Sequence, residues 1–356
     1  MSASATAAYA AAGERLIAAV GTRMARRADI AALTGGNPLE EMFAHQRNHH
    51  RALASLLRFG RGDLLEQELA WAYRTYTAHG FSLEYFPAEA QAWVEAIRTH
   101  LSPTHAGELE PVYRWVLETH AARQAPSPPR PAPLAVPELA GPAIRLVEAL
   151  LYEEAETCFA RARAAAEEVG GVPRVYDEIL APVMREIGRR WETGEISVAQ
   201  EHLATARVSR ILLDLYRDLP LPGTKEGLAL VSTAPGERHE VGARMVADLL
   251  GVAGWRVRYL GADTPAEDLA ALAASDKPQL VVLSACVVCN LDRAADAVAR
   301  IRTHLSPDRC AILVGGQAFQ RAPGLWREVG ADGSGQTSAD AVALARALAA
   351  PEGGDR

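Results

Sequence analysis

The sequence predicts an all-α N-terminal part joined to an α/β C-terminal part, and three observations carry that expectation. Residues 123–142 hold seven prolines in twenty positions, which blocks helix and sheet alike and favours an extended spacer. Upstream of this spacer apolar residues recur at helical spacing, with no strand signal. From about residue 226, four short runs rich in Val, Ile and Leu alternate with amphipathic stretches, the pattern of a parallel sheet covered on both faces.

Taken in order, Asn37-Pro38 reads as an N-cap followed by proline at the first helical position, and Gly60 as the end of that helix. Leu65, Leu69, Tyr73 and Tyr76 form the apolar stripe of a helix from Asp63 to Gly80, and helical patterns continue over 87–101 and 108–120. Residues 1–122 are therefore expected to form one helical domain. Beyond the spacer, helices over 143–168, 172–191 and 196–218 suit a small bundle occupying 143–222. The runs LALVST, WRVRYLG, PQLVVLSA and CAILVGG then supply the strands of a domain spanning 223–350. In such sheets ligands bind at the carboxyl ends of the strands.

The composition narrows the function classes. Thirty-seven basic against 44 acidic residues give a net charge of -7, so no overall basic field exists to hold nucleic acid. No apolar run reaches the roughly 20 residues that span a bilayer, and the first residues lack signal-peptide character, so a cytoplasmic, membrane-free protein is expected. Four cysteines do not make a disulfide framework. Cys286 and Cys289 form a C-x-x-C that reads either as redox or metal chemistry or, more simply, as two small residues at a strand end.

The loop after the first strand run reads Pro235-Gly236-Glu237-Arg238-His239-Glu240-Val241-Gly242. Taken alone, His239 is an ordinary loop residue. From Gly242, however, 41 residues lead to Ser284 at the end of the third strand, and after Cys286 another 28 lead to Gly315-Gly316 at the end of the fourth. All three elements fall at strand carboxyl ends and line one crevice.

This stretch resembles the cobalamin-binding domain of the methionine synthase and mutase type, whose pattern is D-x-H-x-x-G, an equal first spacer, S-x-L, a second spacer and G-G. The resemblance implies a flavodoxin-like fold and His239 as the lower axial ligand of cobalt, displacing the cofactor's own dimethylbenzimidazole. It also implies that Gly236, Glu237, Gly242, Ser284, Gly315 and Gly316 surround the cofactor. Neutral imidazole is a good cobalt ligand, and glycine lets backbone approach a bulky tail. Two positions depart from the pattern: Glu237 stands for the aspartate, and Cys286 for the leucine.

In the bundle, Trp191, nine intervening residues and Glu201-His202 resemble the W-x9-E-H signature of the CarH-like adenosylcobalamin photoreceptors. A tryptophan in a bundle is usually core. The resemblance implies instead that Trp191, Glu201 and His202 cover the upper, adenosyl-bearing face, with Gly194-Glu195 as the turn between their helices. Light-regulated repressors of that group carry a histidine directly after the tryptophan; here it is Glu192. They also begin with a winged-helix DNA-binding domain, and no such pattern is read in 1–122.

Seven of the ten histidines fall in that N-terminal region. On the helix after Pro38, the stripe Phe43, Gln46, His50, Leu53 and Leu57 places an amide and an imidazole among apolar residues, either satisfied by a neighbouring helix or lining a ligand pocket. The domain order resembles photocobilins, which join a globin- or phycobiliprotein-like bilin-binding domain to a cobalamin-binding half. That resemblance implies biliverdin at Gln46 and His50, with Arg47 or Arg51 for its propionates. Binding is expected to be non-covalent, because every cysteine lies after the spacer. Three functions stay open: a light sensor, a corrinoid carrier for a methyltransferase, and a light-indifferent adenosylcobalamin regulator. Each is a binding role and none an enzyme, working through self-association or a downstream protein partner.

Overall fold

The computed structural model describes residues 1–124, 139, 141–223 and 226–349, and most of the proline-rich spacer expected over 123–142 lies outside the described residues. The chain divides into two compact units.

The first unit is built from α1 (Ala3–Ala11), α2 (Gly13–Ala25), α3 (Ile30–Leu33), α4 (Leu39–Arg58), α5 (Gly62–Ala78), α6 (Tyr85–His100) and α7 (Pro103–Gln124). The helix expected after Asn37 begins one residue later than read, with Pro38 itself in the N-cap place. Asn37 is occupied elsewhere, its amide donating to the carbonyls of Thr34 and His79 at 2.9 and 2.8 Å. Gly60 adopts φ +62 just past the end of α4, where a left-handed residue lets the last carbonyls find N–H partners. The core is aromatic: Tyr9, Tyr85, Trp93 and Tyr113 are fully buried. The rings of Tyr73 and Phe86 stack with centroids 3.7 Å apart.

The second unit opens with a bundle of α8 (Gly141–Tyr152), α9 (Ala155–Val169), α10 (Val172–Val175), a π-helical turn (Tyr176–Leu180), α11 (Ala181–Glu192) and α12 (Val198–Tyr216). The single helix expected over 143–168 is two, because Glu154 takes an extended conformation (φ -75, ψ 160) and turns the chain back on itself. Ser197 starts α12 with a capping box, its hydroxyl accepting from the Gln200 N–H at 3.3 Å while the Gln200 side chain accepts from the Ser197 N–H at 3.0 Å.

The α/β part follows as β1 (Gly227–Thr233), α13 (Val241–Val252), β2 (Trp255–Tyr259), α14 (Ala266–Asp276), β3 (Leu280–Ser284), α15 (Leu291–Arg302), β4 (Ala311–Gly315), α16 (Gln317–Arg321), α17 (Leu325–Glu328), β5 (Gly333–Gly335) and α18 (Ser338–Ala349). All strand pairs are parallel and the sheet order is β2-β1-β3-β4-β5, the flavodoxin-like arrangement. The order reverses between β1 and β3, and the crevice at their carboxyl ends is where such sheets take ligands. The four long strands match the four apolar runs. The glycine-rich β5 carries no apolar pattern and escaped the sequence reading.

Bundle and sheet share one body. Met245 and Leu249 of α13 are buried in the same core as Leu146, Ile187 and Val208 of the bundle. Two adjacent residues of the π-turn add polar anchors. The Tyr176 hydroxyl donates to Asp248 at 2.9 Å, and the Asp177 carboxylate accepts from the Ser338 and Ala339 N–H groups at 2.9 Å each.

Candidate cofactor site

Register brings the three motif elements into one row. Thr233 at the end of β1 pairs with Ser284 at the end of β3, and Ser284 pairs with Gly315 at the end of β4. The β1–α13 loop rises from this row and carries His239.

Glu237 organises the loop. Its side chain is fully buried while that of His239 is 62% exposed. One carboxylate oxygen accepts from the His239 ring Nδ1 at 2.5 Å and from the His239 backbone N–H at 3.0 Å. The other accepts from the backbone N–H of Cys286 at 2.8 Å, that of Val287 at 3.1 Å, and the Asn290 side-chain amide at 3.2 Å. Burial by itself would raise the Glu237 pKa, but the hydrogen bonds and charge of His239 and the Cys286 N–H outweigh it and hold the carboxyl down at about 2. The His239 pKa is raised, first by its bond to Glu237 against the opposing effect of burial, then by the charges of Glu237 and Glu201.

This arrangement fixes the tautomer. With Nδ1 committed to the carboxylate, Nε2 is the nitrogen left to face a ligand, as in metal sites where a carboxylate orients the histidine behind it. Among the described residues no group of three or more His, Cys, Asp or Glu gathers to hold a bare metal ion. A lone, oriented imidazole fits a metal that arrives already chelated, as cobalt does in a corrin ring.

The motif glycines divide by cause. A side chain at Gly242 would meet open space, which leaves room for a large group beside the first turn of α13. The Gly315-Gly316 pair, expected to admit the cofactor tail, is required by the protein's own packing. Gly316 has φ +93, and a Cβ there would sit 2.3 Å from the Ala285 carbonyl oxygen, while one at Gly315 would press on the Gly335 carbonyl at 3.2 Å. Gly236 has φ +82, with the Arg293 guanidinium in the place of a Cβ. The Ser284 hydroxyl lies beside the Cys286 thiol, which burial pushes up to about 12, so that thiol is no nucleophile.

On the bundle side, Glu201 is shared between the Thr205 hydroxyl at 2.8 Å and the His202 ring Nδ1 at 2.6 Å, and His202 is three-quarters exposed. Trp191 is half-buried against the bundle core. Glu201 is among the charges that raise the His239 pKa, and α12 packs on α13, the helix that follows the β1–α13 loop.

In the first unit His50 and Gln46 have different surroundings. The His50 Nε2–H donates to the Tyr9 carbonyl at 3.1 Å and the ring stacks on Tyr9, so this imidazole is satisfied by a neighbouring helix. Gln46 is fully buried and its amide makes no hydrogen bond of good geometry, the neighbouring Tyr85 hydroxyl being engaged with Glu89. Nearby, the buried Glu89 accepts from the Tyr85 hydroxyl at 3.0 Å, and burial lifts its pKa to about 7.

Sequence reasoning missed Asn290, and with it the backbone donors that complete the Glu237 cage. Asn290 stands four residues past Cys286, the end of that motif element, and a polar residue ending an apolar run was its one visible signal.

A flavodoxin-like sheet that presents one oriented imidazole and shares its core with a helical bundle has the build of a corrinoid-binding protein. The chain belongs to the B12-binding family: residues 227–343 and, separately, residues 143–213 match family models each described as a B12 binding domain. Over 172 residues it is 30% identical to monomethylamine corrinoid protein 2 of Methanosarcina acetivorans, covering 47% of this chain and 78% of that one. Over 145 residues it is 36% identical to the HTH-type transcriptional repressor CarH of Myxococcus xanthus, covering 41% of this chain and 48% of the repressor. The chain thus spans about half the length of that repressor. The structure of the Methanosarcina barkeri monomethylamine corrinoid protein aligns with a TM-score of 0.51 at 24% identity, over 57% of this chain and 96% of that one, a likeness of fold alone. The chain is a cobalamin-binding protein. Among the described residues no helix is long and apolar enough to cross a membrane.

Proposed function

We propose that the chain is a light-responsive regulator: residues 223–350 hold adenosylcobalamin with the His239 Nε2 as the lower cobalt ligand, and residues 143–222 cover the upper face with Trp191, Glu201 and His202. Adenosylcobalamin would supply a light-sensitive cobalt–carbon bond. His239 would hold the cofactor from the sheet side and Trp191 would pack on its adenosyl group, so a change at that group would alter bundle packing, which a second copy of the chain or a partner protein would read.

The observation that most supports this reading is the packing of α12, which carries Glu201 and His202, on α13, the helix that follows the ligand loop. The identity to CarH supports it from outside the structure. The second reading, a corrinoid carrier serving a methyltransferase, draws its support from the 78% coverage of a corrinoid protein. The two differ at Trp191, since a carrier needs an upper face open to its enzyme.

Within this reading residues 1–122 form a sensor domain for a linear tetrapyrrole such as biliverdin, bound without a covalent link. Its support is Gln46, a buried amide without a hydrogen bond of good geometry, which a ligand with pyrrole N–H and carbonyl groups would satisfy. His50 would contribute ring surface.

The deciding experiment compares dark and illuminated absorption spectra of the purified chain loaded with adenosylcobalamin, and repeats the loading with Trp191→Ala. Removing the ring should weaken adenosylcobalamin binding by roughly 10-fold more than hydroxocobalamin binding, an aromatic contact's worth. Equal losses for both, or a spectrum indifferent to light, would return the assignment to a carrier or a light-indifferent regulator.

A further inference from the structure

We propose that Asp263 is a positioning residue for the cobalt-ligand loop, an acceptor at a left-handed backbone position that clamps the β1–α13 loop in the conformation that presents His239. The proposal rests on the reading of His239 as the cobalt ligand.

Among the described residues only two besides glycine have positive φ, Asp263 at +55 and Lys277 at +50. Lys277 is the C-cap of α14, where a left-handed residue is an ordinary way to end a helix. Asp263 caps nothing. It lies in the loop after β2, beside the β1–α13 loop, and its backbone and side chain both reach across. A carboxylate oxygen accepts from the Gly236 N–H at 2.6 Å. Its own N–H is shared between the Glu237 carbonyl at 3.1 Å and the Thr233 hydroxyl oxygen at 3.0 Å. The Thr233 hydroxyl in turn donates to the same Glu237 carbonyl at 2.7 Å.

Gly236 and Glu237, the residues that set the path into His239, are therefore fixed through Asp263, while the Glu237 carboxylate fixes the ring itself. A glycine would occupy φ +55 without strain, so a side chain there is maintained against the backbone's preference. The bond that side chain makes is charge-assisted and short, to an N–H of a loop residue that is itself left-handed.

Three variants of the full chain separate a clamp from a mere turn. Asp263→Gly keeps the backbone conformation and removes the acceptor; Asp263→Asn keeps an acceptor and tolerates the left-handed region; His239→Ala removes the ligand. Three readouts are taken: amide hydrogen exchange at Gly236 in the cofactor-free chain, the affinity for cobalamin, and the electron paramagnetic resonance spectrum of bound cob(II)alamin in protein carrying nitrogen-15 histidine, where a ligating imidazole gives a doublet.

Asp263→Gly should speed Gly236 exchange and weaken cobalamin binding, each by roughly 10-fold, with loss of doublet intensity, the usual scale for removing a group behind a metal ligand. Asp263→Asn should restore all three. An Asp263→Gly chain with parental exchange and an intact doublet overturns the proposal, as does an Asn variant that restores nothing. A doublet that persists in His239→Ala overturns the ligand assignment instead, and this proposal with it; the Gly236 exchange still tells the two failures apart.

Discussion

Glu237 carries one more methylene than the aspartate of the related motif, and that reach lets its second oxygen collect Cys286, Val287 and Asn290 from beyond β3 while the first holds His239. The spacing of His239, Ser284 and Gly315 made this row of strand ends legible in the sequence, because it matches the spacing of the family that the stretch resembles. The cage was not legible, since its donors are mostly backbone N–H groups that every residue carries. His50 was read as open between two roles for the same reason: its partner is the Tyr9 carbonyl, which no side-chain pattern announces. Glu89 offers a residue-scale test. Its folded pKa of about 7 lies above its ordinary value, so the stability held by its neutral form is full below about pH 4.5 and is lost as the pH rises to 7. The half-buried His45 and His49, lowered by desolvation to about 4, act in the opposite sense, costing stability as the pH falls from about 6.5 to 4. Comparison with Glu89→Gln isolates the carboxyl. The variant should gain about 3 kcal/mol relative to the parent between pH 4.5 and 7 and nothing further above it, read from the protection of α6 amides against exchange. A difference that is flat with pH would mean that Glu89 ionises normally in the folded chain.

At the scale of elements, the boundaries that sequence placed well are those with a local cause, such as Gly60 after α4 and the four apolar strands. Those it misplaced have a tertiary one. Nothing in Tyr152-Glu153-Glu154 forbids helix, yet the chain breaks there because α8 and α9 must lie side by side around one core. In β5 the residues are Gly333, Ser334 and Gly335, held by pairing to β4, where a Cβ at Gly333 would press on the Leu313 side chain at 3.0 Å, and by α18, whose Ala341 would crowd a Cβ at Gly335 at 3.0 Å. Asp177 gives an element-scale prediction, because its carboxylate serves the first N–H groups of α18 from a different part of the chain. Asp177→Ala should cost about 1–2 kcal/mol, the value of a helix cap, and loosen the first turn of α18 in hydrogen exchange. A change confined to the π-turn, with α18 untouched, would show that the contact is incidental.

For the whole molecule, the α/β part was the most legible and the N-terminal helices the least, since a helical texture specifies a fold class without specifying a ligand. The bilin reading is tested by adding biliverdin to the full chain and to Gln46→Leu, which fills the same space without an amide. A sharpened red absorption band in the parent, at least roughly 10-fold weaker in affinity in the variant, is expected if the amide meets the ligand. No band in either, with cobalamin still bound, leaves a cobalamin-only regulator. The core shared by α13 and the bundle has a practical consequence as well. Two separate family descriptions meet in this unit, at residues 143–213 and 227–343, and they suggest a cut between them. A fragment beginning at β1 would carry Met245 and Leu249 into water and leave Asp248 and the start of α18 without Tyr176 and Asp177. Such a fragment would be sticky and poorly soluble, whereas one beginning before α8 keeps the seam closed. The place where inheritance divides this chain is therefore not a place where it can be divided at the bench.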